Sequence, residues 1–268
     1  MWSILSLFAP ISPLLSSKAI VYALIMIKAI LFDLDGTLLP MDEKKFEKAY
    51  FSLLCSKVAP LGYEPNAILN AILKCTGDVL KNNGKATNEE VFWHNFSSIY
   101  GEKALQDKPI FDEFYKNEFN LARGSCGYNQ MASLTIKRLK ELGYRIIIAT
   151  NPVFPAFGTK SRIKWAGLDE EDFELITTYE NSRYCKPNPD YYKEILSKQK
   201  LTPDECIMVG NDAEEDMVAT TLGIKGFLLT DNLINRKNYD LEKFPRGGYT
   251  ELWRFLDSSL EGGFKIDG

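Results

Sequence analysis

Asp33 and Asp35 are the residues whose placement most invites chemistry. They close the run IKAILFDLDGTLL, residues 27–39, where an apolar stretch ends abruptly in acid. Side chains alternate along a strand, so carboxylates two residues apart leave it on the same side. Gly36 then permits a sharp exit. Two like charges held close repel, so the pair calls for a cation or a proton on one member. A divalent ion that prefers oxygen, such as Mg²⁺, meets that need. A plain turn or helix cap is the alternative. An EF-hand fails on spacing, because the sixth loop position is Leu38 where a glycine is required.

Three further polar groups stand beside apolar runs. Thr150-Asn151 follows YRIIIA, Lys186 follows Cys185, and Asp212-Ala213-Glu214-Glu215-Asp216 follows CIMVGN. Singly, each has a bland reading: a strand end and turn, a solvated lysine, a helix cap. Together they form a charge-balanced set. Carboxylates suit Mg²⁺, while a lysine and a threonine hydroxyl suit the oxygens of a phosphate.

Composition narrows the chemistry. The single histidine, His94, removes Ser-His-Asp catalysis and histidine-rich zinc sites. With Trp93 and Phe96 it reads as packing in a core or interface. Five cysteines lie far apart with no CxxC pair, which points to reduced thiols and a cytoplasmic setting. A net charge of −4 gives no footprint for nucleic acid. Residues 1–25 are apolar but broken by Pro10, Pro13 and Lys18. They lack both the basic start of a signal peptide and the length of a membrane span. They are expected to be an extension outside the fold, with a membrane-associating leader as the rival reading; no stable membrane association is expected.

The elements that must position these residues follow from periodicity. Residues 29–32 read as a strand buried on both faces, as in a parallel sheet. Residues 41–127 carry helical spacing instead: Phe46 to Leu54, Ala67 to Ile72 after Pro65, 91–100 behind a Thr87/Glu90 capping box, and 111–121. From Tyr128, strands (144–150, 173–177, 206–209, 224–229) alternate with helices (131–142, 154–165, 189–198, and one ending near Leu222). Residues 231–248 read as loop and 249–258 as a last helix. Alternation of this kind implies a parallel sheet.

The order of these motifs resembles the haloacid dehalogenase superfamily of phosphohydrolases, over about residues 26–232. Asp33-Leu34-Asp35-Gly36-Thr37 looks like its first motif, Thr150 its second, Lys186 its third, and Asp212 to Asp216 its acidic fourth. The helical insert is similar to that of members whose cap follows the first motif, as in phosphoglycolate phosphatases. The resemblance implies an α/β fold: a Rossmann-like parallel core of five strands with an inserted all-helical cap. Residues 26–40 and 128–268 would form the core and 41–127 the cap. It also implies that Asp33 is the nucleophile and Asp35 the acid and base. Thr150, Asn151 and Lys186 would hold phosphate. Mg²⁺ would be bound by Asp33, Asp35 through its main-chain carbonyl, and Asp212, with Asp216 in or just behind that shell. The substrate would be a small phosphorylated metabolite, and the protein a monomer or homodimer. Some residues depart from the commonest pattern. Asn211 stands where glycine often precedes the fourth motif, and Leu39-Pro40-Met41 replaces the usual Val-Asp-Ser. Asp35 is present, which counts against carbon–halogen chemistry. Arg123 and Asn129, near the hinge, are candidate substrate contacts. A phosphotransferase or mutase, a receiver-like module and a non-catalytic phosphate-binding protein are the alternatives.

Overall fold

In a computed structural model, residues 26–265 are described. The expectation for residues 1–25 therefore lies outside the described residues. Six parallel strands form one sheet in the order β3-β2-β1-β4-β5-β6: β1 (Ala29–Phe32), β2 (Arg145–Ile148), β3 (Leu175–Ile176), β4 (Cys206–Gly210), β5 (Lys225–Leu229) and β6 (Arg246–Gly247). The first strand is flanked by β2 and β4, with Phe32 level with Ile148 and Val209. The carboxyl ends of three strands therefore open side by side, at the point where strand order reverses, which is where open α/β sheets bind ligands.

Alternation along β1 decides which helices face which residues. Ile30 and Phe32 pack on one face with Leu139, Ile163 and Leu252. Those residues belong to α5 (Gln130–Glu141), α6 (Ala156–Trp165) and α8 (Tyr249–Ser259). Ala29 and Leu31 pack on the other with Tyr191, Tyr192 and Ile195 of α7 (Pro189–Gln199). Burial on both faces explains why the strands read as continuous apolar runs.

Four helices lie between β1 and β2: α1 (Glu43–Val58), α2 (Pro65–Val79), α3 (Asn88–Tyr100) and α4 (Glu102–Lys116). Pro65 opens α2, and the Thr87/Glu90 box closes reciprocally at the start of α3. The helix expected at 111–121 runs from Glu102 to Lys116 instead, through Pro109. Burial of Ala104, Phe111 and Phe114 holds it despite the missing N–H. A 3₁₀ stretch, Glu118–Ser125, follows. An antiparallel bridge between Met41 and Cys126 draws the two ends of the insert together, and the Gly127 N–H donates to the Pro40 carbonyl at 2.7 Å. A second fastening lies across the layer at Asn88, which is fully buried. Its amide donates to the Pro152 carbonyl at 3.1 Å, and its N–H to the Ser182 carbonyl at 2.8 Å.

Two differences from expectation concern the end of the chain. The sheet has a sixth strand, β6, inside the stretch expected to be loop. That same stretch pairs with the fourth motif: Ile234 donates its N–H to the Asn211 carbonyl at 2.8 Å and accepts from the Ala213 N–H at 2.9 Å. Both pairings are too short to leave a periodic signal. Among the described residues no helix is long and apolar enough to cross a membrane, and no disulfide joins any of the five cysteines.

Candidate active site

Asp33 and Asp35 leave β1 into a cavity of about 310 Å³ that is also lined by Thr150, Asn151, Asn211, Asp212, Glu215 and Asp216. The turn out of β1 is tight. Gly36 adopts φ +85°, and a Cβ there would fall on the Asn211 side chain, so glycine is required twice over. Asn211 is spent on bracing: its Oδ1 accepts from the Thr37 hydroxyl at 2.9 Å and its amide donates to the Asn232 carbonyl at 2.7 Å.

Lys186 joins the set from behind. It is not among the residues lining the cavity, and its side chain is 1% exposed. The loop entering α7 brings it beneath the face of β1 that carries Leu31, the face Asp33 continues. Its ammonium donates to Asp33 Oδ1 at 2.9 Å and to Asp216 Oδ1 at 2.6 Å. Burial opposes that charge, but Asp216 and Asp33 overcome it and hold the lysine pKa well above its usual value.

Asp216 commits its other oxygen as well, accepting the Asp212 N–H at 2.9 Å. It thus stands as a brace in the cavity wall. Asp212 uses one oxygen, Oδ1, to accept the N–H groups of Glu214 and Glu215 at 2.8 and 2.9 Å. The capping reading and the ligand reading are therefore compatible. Asn151 donates to Glu215 Oε2 at 3.1 Å and accepts the Lys186 N–H at 3.2 Å. Burial pushes Glu215 up to about 7. The Thr150 carbonyl is fixed by the Thr177 and Tyr191 hydroxyls, each at 2.8 Å, and Thr150 lines the cavity.

Residues that sequence reasoning passed over complete the picture. Arg162 on α6 is 1% exposed and forms an ion pair with Asp35 Oδ2. The guanidinium is steadied by the Gly158 carbonyl and the Thr159 hydroxyl, each at 3.3 Å, and lies 4.3 Å from the Phe154 ring centre. Helical spacing from Thr159, next to buried Ile163, was the one available signal. Among the described residues Asp35 Oδ1, also buried, has no partner. Burial raises Asp35 to about 6, against the pull of Arg162 and with the push of Asp33. Arg236, from the supposed loop, reaches over the mouth to Glu43 of α1 at 2.8 Å, with Asp212 Oδ2 at 3.5 Å.

The donor set suits a hard divalent cation. Among the described residues no three acidic, histidine or cysteine side chains are gathered to hold a metal by themselves. Yet among the described residues the Asp35 carbonyl accepts no main-chain hydrogen bond, Asp33 Oδ2 meets the Thr37 hydroxyl alone, at 3.3 Å, and Asp212 Oδ2 meets the distant Arg236 alone. Two carboxylate oxygens and a carbonyl at one cavity match an ion that keeps several waters and is completed by phosphate. Elsewhere, Asn129 caps α5 through the Met131 N–H at 2.9 Å and Arg123 is exposed, and neither lines this cavity. His94, expected as packing, is exposed while Trp93 and Phe96 are buried.

Comparison with known proteins places this arrangement. The family model for haloacid dehalogenase-like hydrolases matches residues 27–219. A glyceraldehyde 3-phosphate phosphatase of Methanothermobacter thermautotrophicus is 24% identical over 235 residues, 81% of this chain and 92% of that protein. The pyrophosphatase PpaX of Bacillus cereus is 23% identical over 207 residues, 74% of this chain and 81% of that one. Among solved structures, a HAD phosphatase from Thermococcus onnurineus superposes with a TM-score of 0.53 at 19% identity, covering 90% of this chain and 100% of that chain.

Proposed function

The chain belongs to the haloacid dehalogenase-like hydrolases and is a phosphatase of that family, and from that premise we propose that it hydrolyses small phosphate monoesters with Mg²⁺ through an aspartyl-phosphate on Asp33. In this reading residues 26–40 and 128–268 form the catalytic core and 41–127 the lid. The protein acts in the cytoplasm, as a monomer or homodimer.

Asp33 attacks phosphorus in line, and the P–O bond to the alcohol breaks. Lys186, bonded to its Oδ1, fixes its orientation. Asp35 supplies the proton that the departing alkoxide takes up. It then accepts a proton from the water that attacks the acyl-phosphate, releasing inorganic phosphate and restoring Asp33. The observation that carries the reading is the state of Asp35. One oxygen is tied to Arg162, the other is buried and unpartnered, and the group titrates at about 6. A carboxyl poised between its two forms near working pH, with one oxygen free, is what a group that gives and regains a proton needs. The Thr150 hydroxyl and the Asn151 amide hold phosphoryl oxygens. Mg²⁺ would be held by Asp33, the Asp35 carbonyl and Asp212, with Asp216 behind them, and would supply positive charge to the phosphoryl oxygens.

The test is phosphate release from a broad set of monoesters, with Mg²⁺ and with chelator, alongside the Asp33→Asn variant. Release that needs the metal and vanishes in Asp33→Asn is expected. Release that persists unchanged in Asp33→Asn would remove the nucleophile from this scheme.

A further inference from the structure

A second chamber, of about 320 Å³, opens from the phosphate cavity toward the helical insert and shares Asp35, Glu43, Phe154 and Arg236 with it. It lies where the alcohol portion of a phosphate ester must sit once phosphorus is at Asp33. Resting on the phosphatase reading above, we propose that this chamber selects monoesters with an uncharged, mostly apolar leaving group of about ring size, and that it rejects substrates bearing a second anionic group.

Two observations carry the proposal. The first is the wall. Phe51, Phe92, Trp93 and Phe154 line the chamber, and Leu73 on α2 is 51% exposed although apolar. Apolar surface kept facing water on the inside of a cleft is relieved when an apolar group fills it. The second is charge. Among the described residues the lining includes four acids, of which Asp35, Glu43 and Asp112 are paired with Arg162, Arg236 and Lys108 while Glu47 is in no ion pair, and its one cationic residue, Arg236, is bonded to Glu43. A carboxylate or second phosphate in the chamber would face the unpaired Glu47 and would have to break the Arg236–Glu43 pair to gain a cation. The phosphoryl group itself escapes that penalty because it lies at the Asp33 end.

The experiment measures kcat/KM of the full chain with Mg²⁺ on methyl, ethyl, propyl, butyl and cyclohexyl phosphates, with phosphoglycolate and pyrophosphate beside them. The simple alkanols are similar leaving groups, so differences among their esters report on binding. A rise of about fourfold per methylene over the first carbons is expected, matching about 0.8 kcal/mol for each buried methylene. Phosphoglycolate and pyrophosphate should fall at least tenfold below propyl phosphate. A flat or falling series, or phosphoglycolate used as well as propyl phosphate, would overturn the proposal and leave the phosphatase reading standing. Phosphate released from none of the compounds would overturn both. Leu73→Asp gives a second readout, at a half-exposed position on α2. It should lower kcat/KM for butyl phosphate at least tenfold more than for methyl phosphate, and equal losses on both esters would count against the proposal.

Discussion

Lys186 lies between two carboxylates beneath the cavity wall, and that position gives it two separate duties. It orients Asp33, and it neutralises Asp33 and Asp216 where water cannot. Lys186→Ala should therefore lower kcat at least a hundredfold and also destabilise the fold by about 3 kcal/mol, because two buried like charges lose their shared partner. Steady-state kinetics and urea unfolding check the two effects independently, and wild-type turnover in the variant would make the lysine structural only. Arg162 makes a different demand. It lowers the Asp35 pKa that burial raises, so removing it moves that pKa upward. In Arg162→Met the alkaline limb of the kcat profile, if it reports protonated Asp35, should shift to higher pH while kcat falls. A profile that drops without shifting would assign Arg162 to packing. Asp33, Asp35 and the acidic fourth motif were legible because strand parity and spacing are local facts. Arg162 was not, since a single arginine on the buried side of a short helix looks the same in sequence whether it meets a carboxylate or solvent.

At the scale of elements, the strands and most helices could be read because each buries a face with its own period. What escaped was pairing between distant segments. β6 is two residues long, and the segment around Ile234 joins the fourth motif through isolated main-chain bonds. A segment of that kind carries no alternation to detect, so Arg236 arrived over the cleft unannounced. The start of α4 was missed because Pro109 lies inside the helix, where local propensity argues against it and only tertiary burial argues for it. Asn88 shows the same limit. It sits unremarked inside the Thr87/Glu90 capping box, yet its buried amide fastens α3 to the core through Pro152. Asn88→Ala should cost about 2 kcal/mol in stability, the range for leaving buried partners unpaired. A thermal melt at constant pH checks this, and an unchanged midpoint would mean that the fastening carries no net stability. The Arg236–Glu43 pair, by contrast, is solvent-exposed on both sides, so its contribution should stay within about 1 kcal/mol and fade with salt.

For the molecule as a whole, the site sets how stability responds to pH. Burial raises Asp35 to about 6 and Glu215 to about 7. Between roughly pH 4 and 7 the folded chain therefore holds protons on these carboxyls that the unfolded chain has released, and stability falls as pH rises through that window. The metal-free protein should melt at a lower temperature at pH 8 than at pH 5. Saturating Mg²⁺ should flatten the slope by supplying charge beside the same carboxylates. A midpoint that rises between pH 5 and 8 without metal would contradict the protonation assigned to the pair. The two attachments of the helical layer have a consequence for how substrate gets in. Met41–Cys126 pins one margin and Asn88 another, close to the segment that carries Lys186. Other bonds cross the same boundary: the Trp165 indole donates to Asn120 at 3.3 Å, the Glu89 N–H donates to the Tyr179 carbonyl at 2.8 Å, and Arg236 pairs with Glu43, so the layer is held around the cleft. Reactants then enter at the mouth, past the exposed Arg236–Glu43 pair, and the Lys186 ammonium stays buried behind Asp33 while they do.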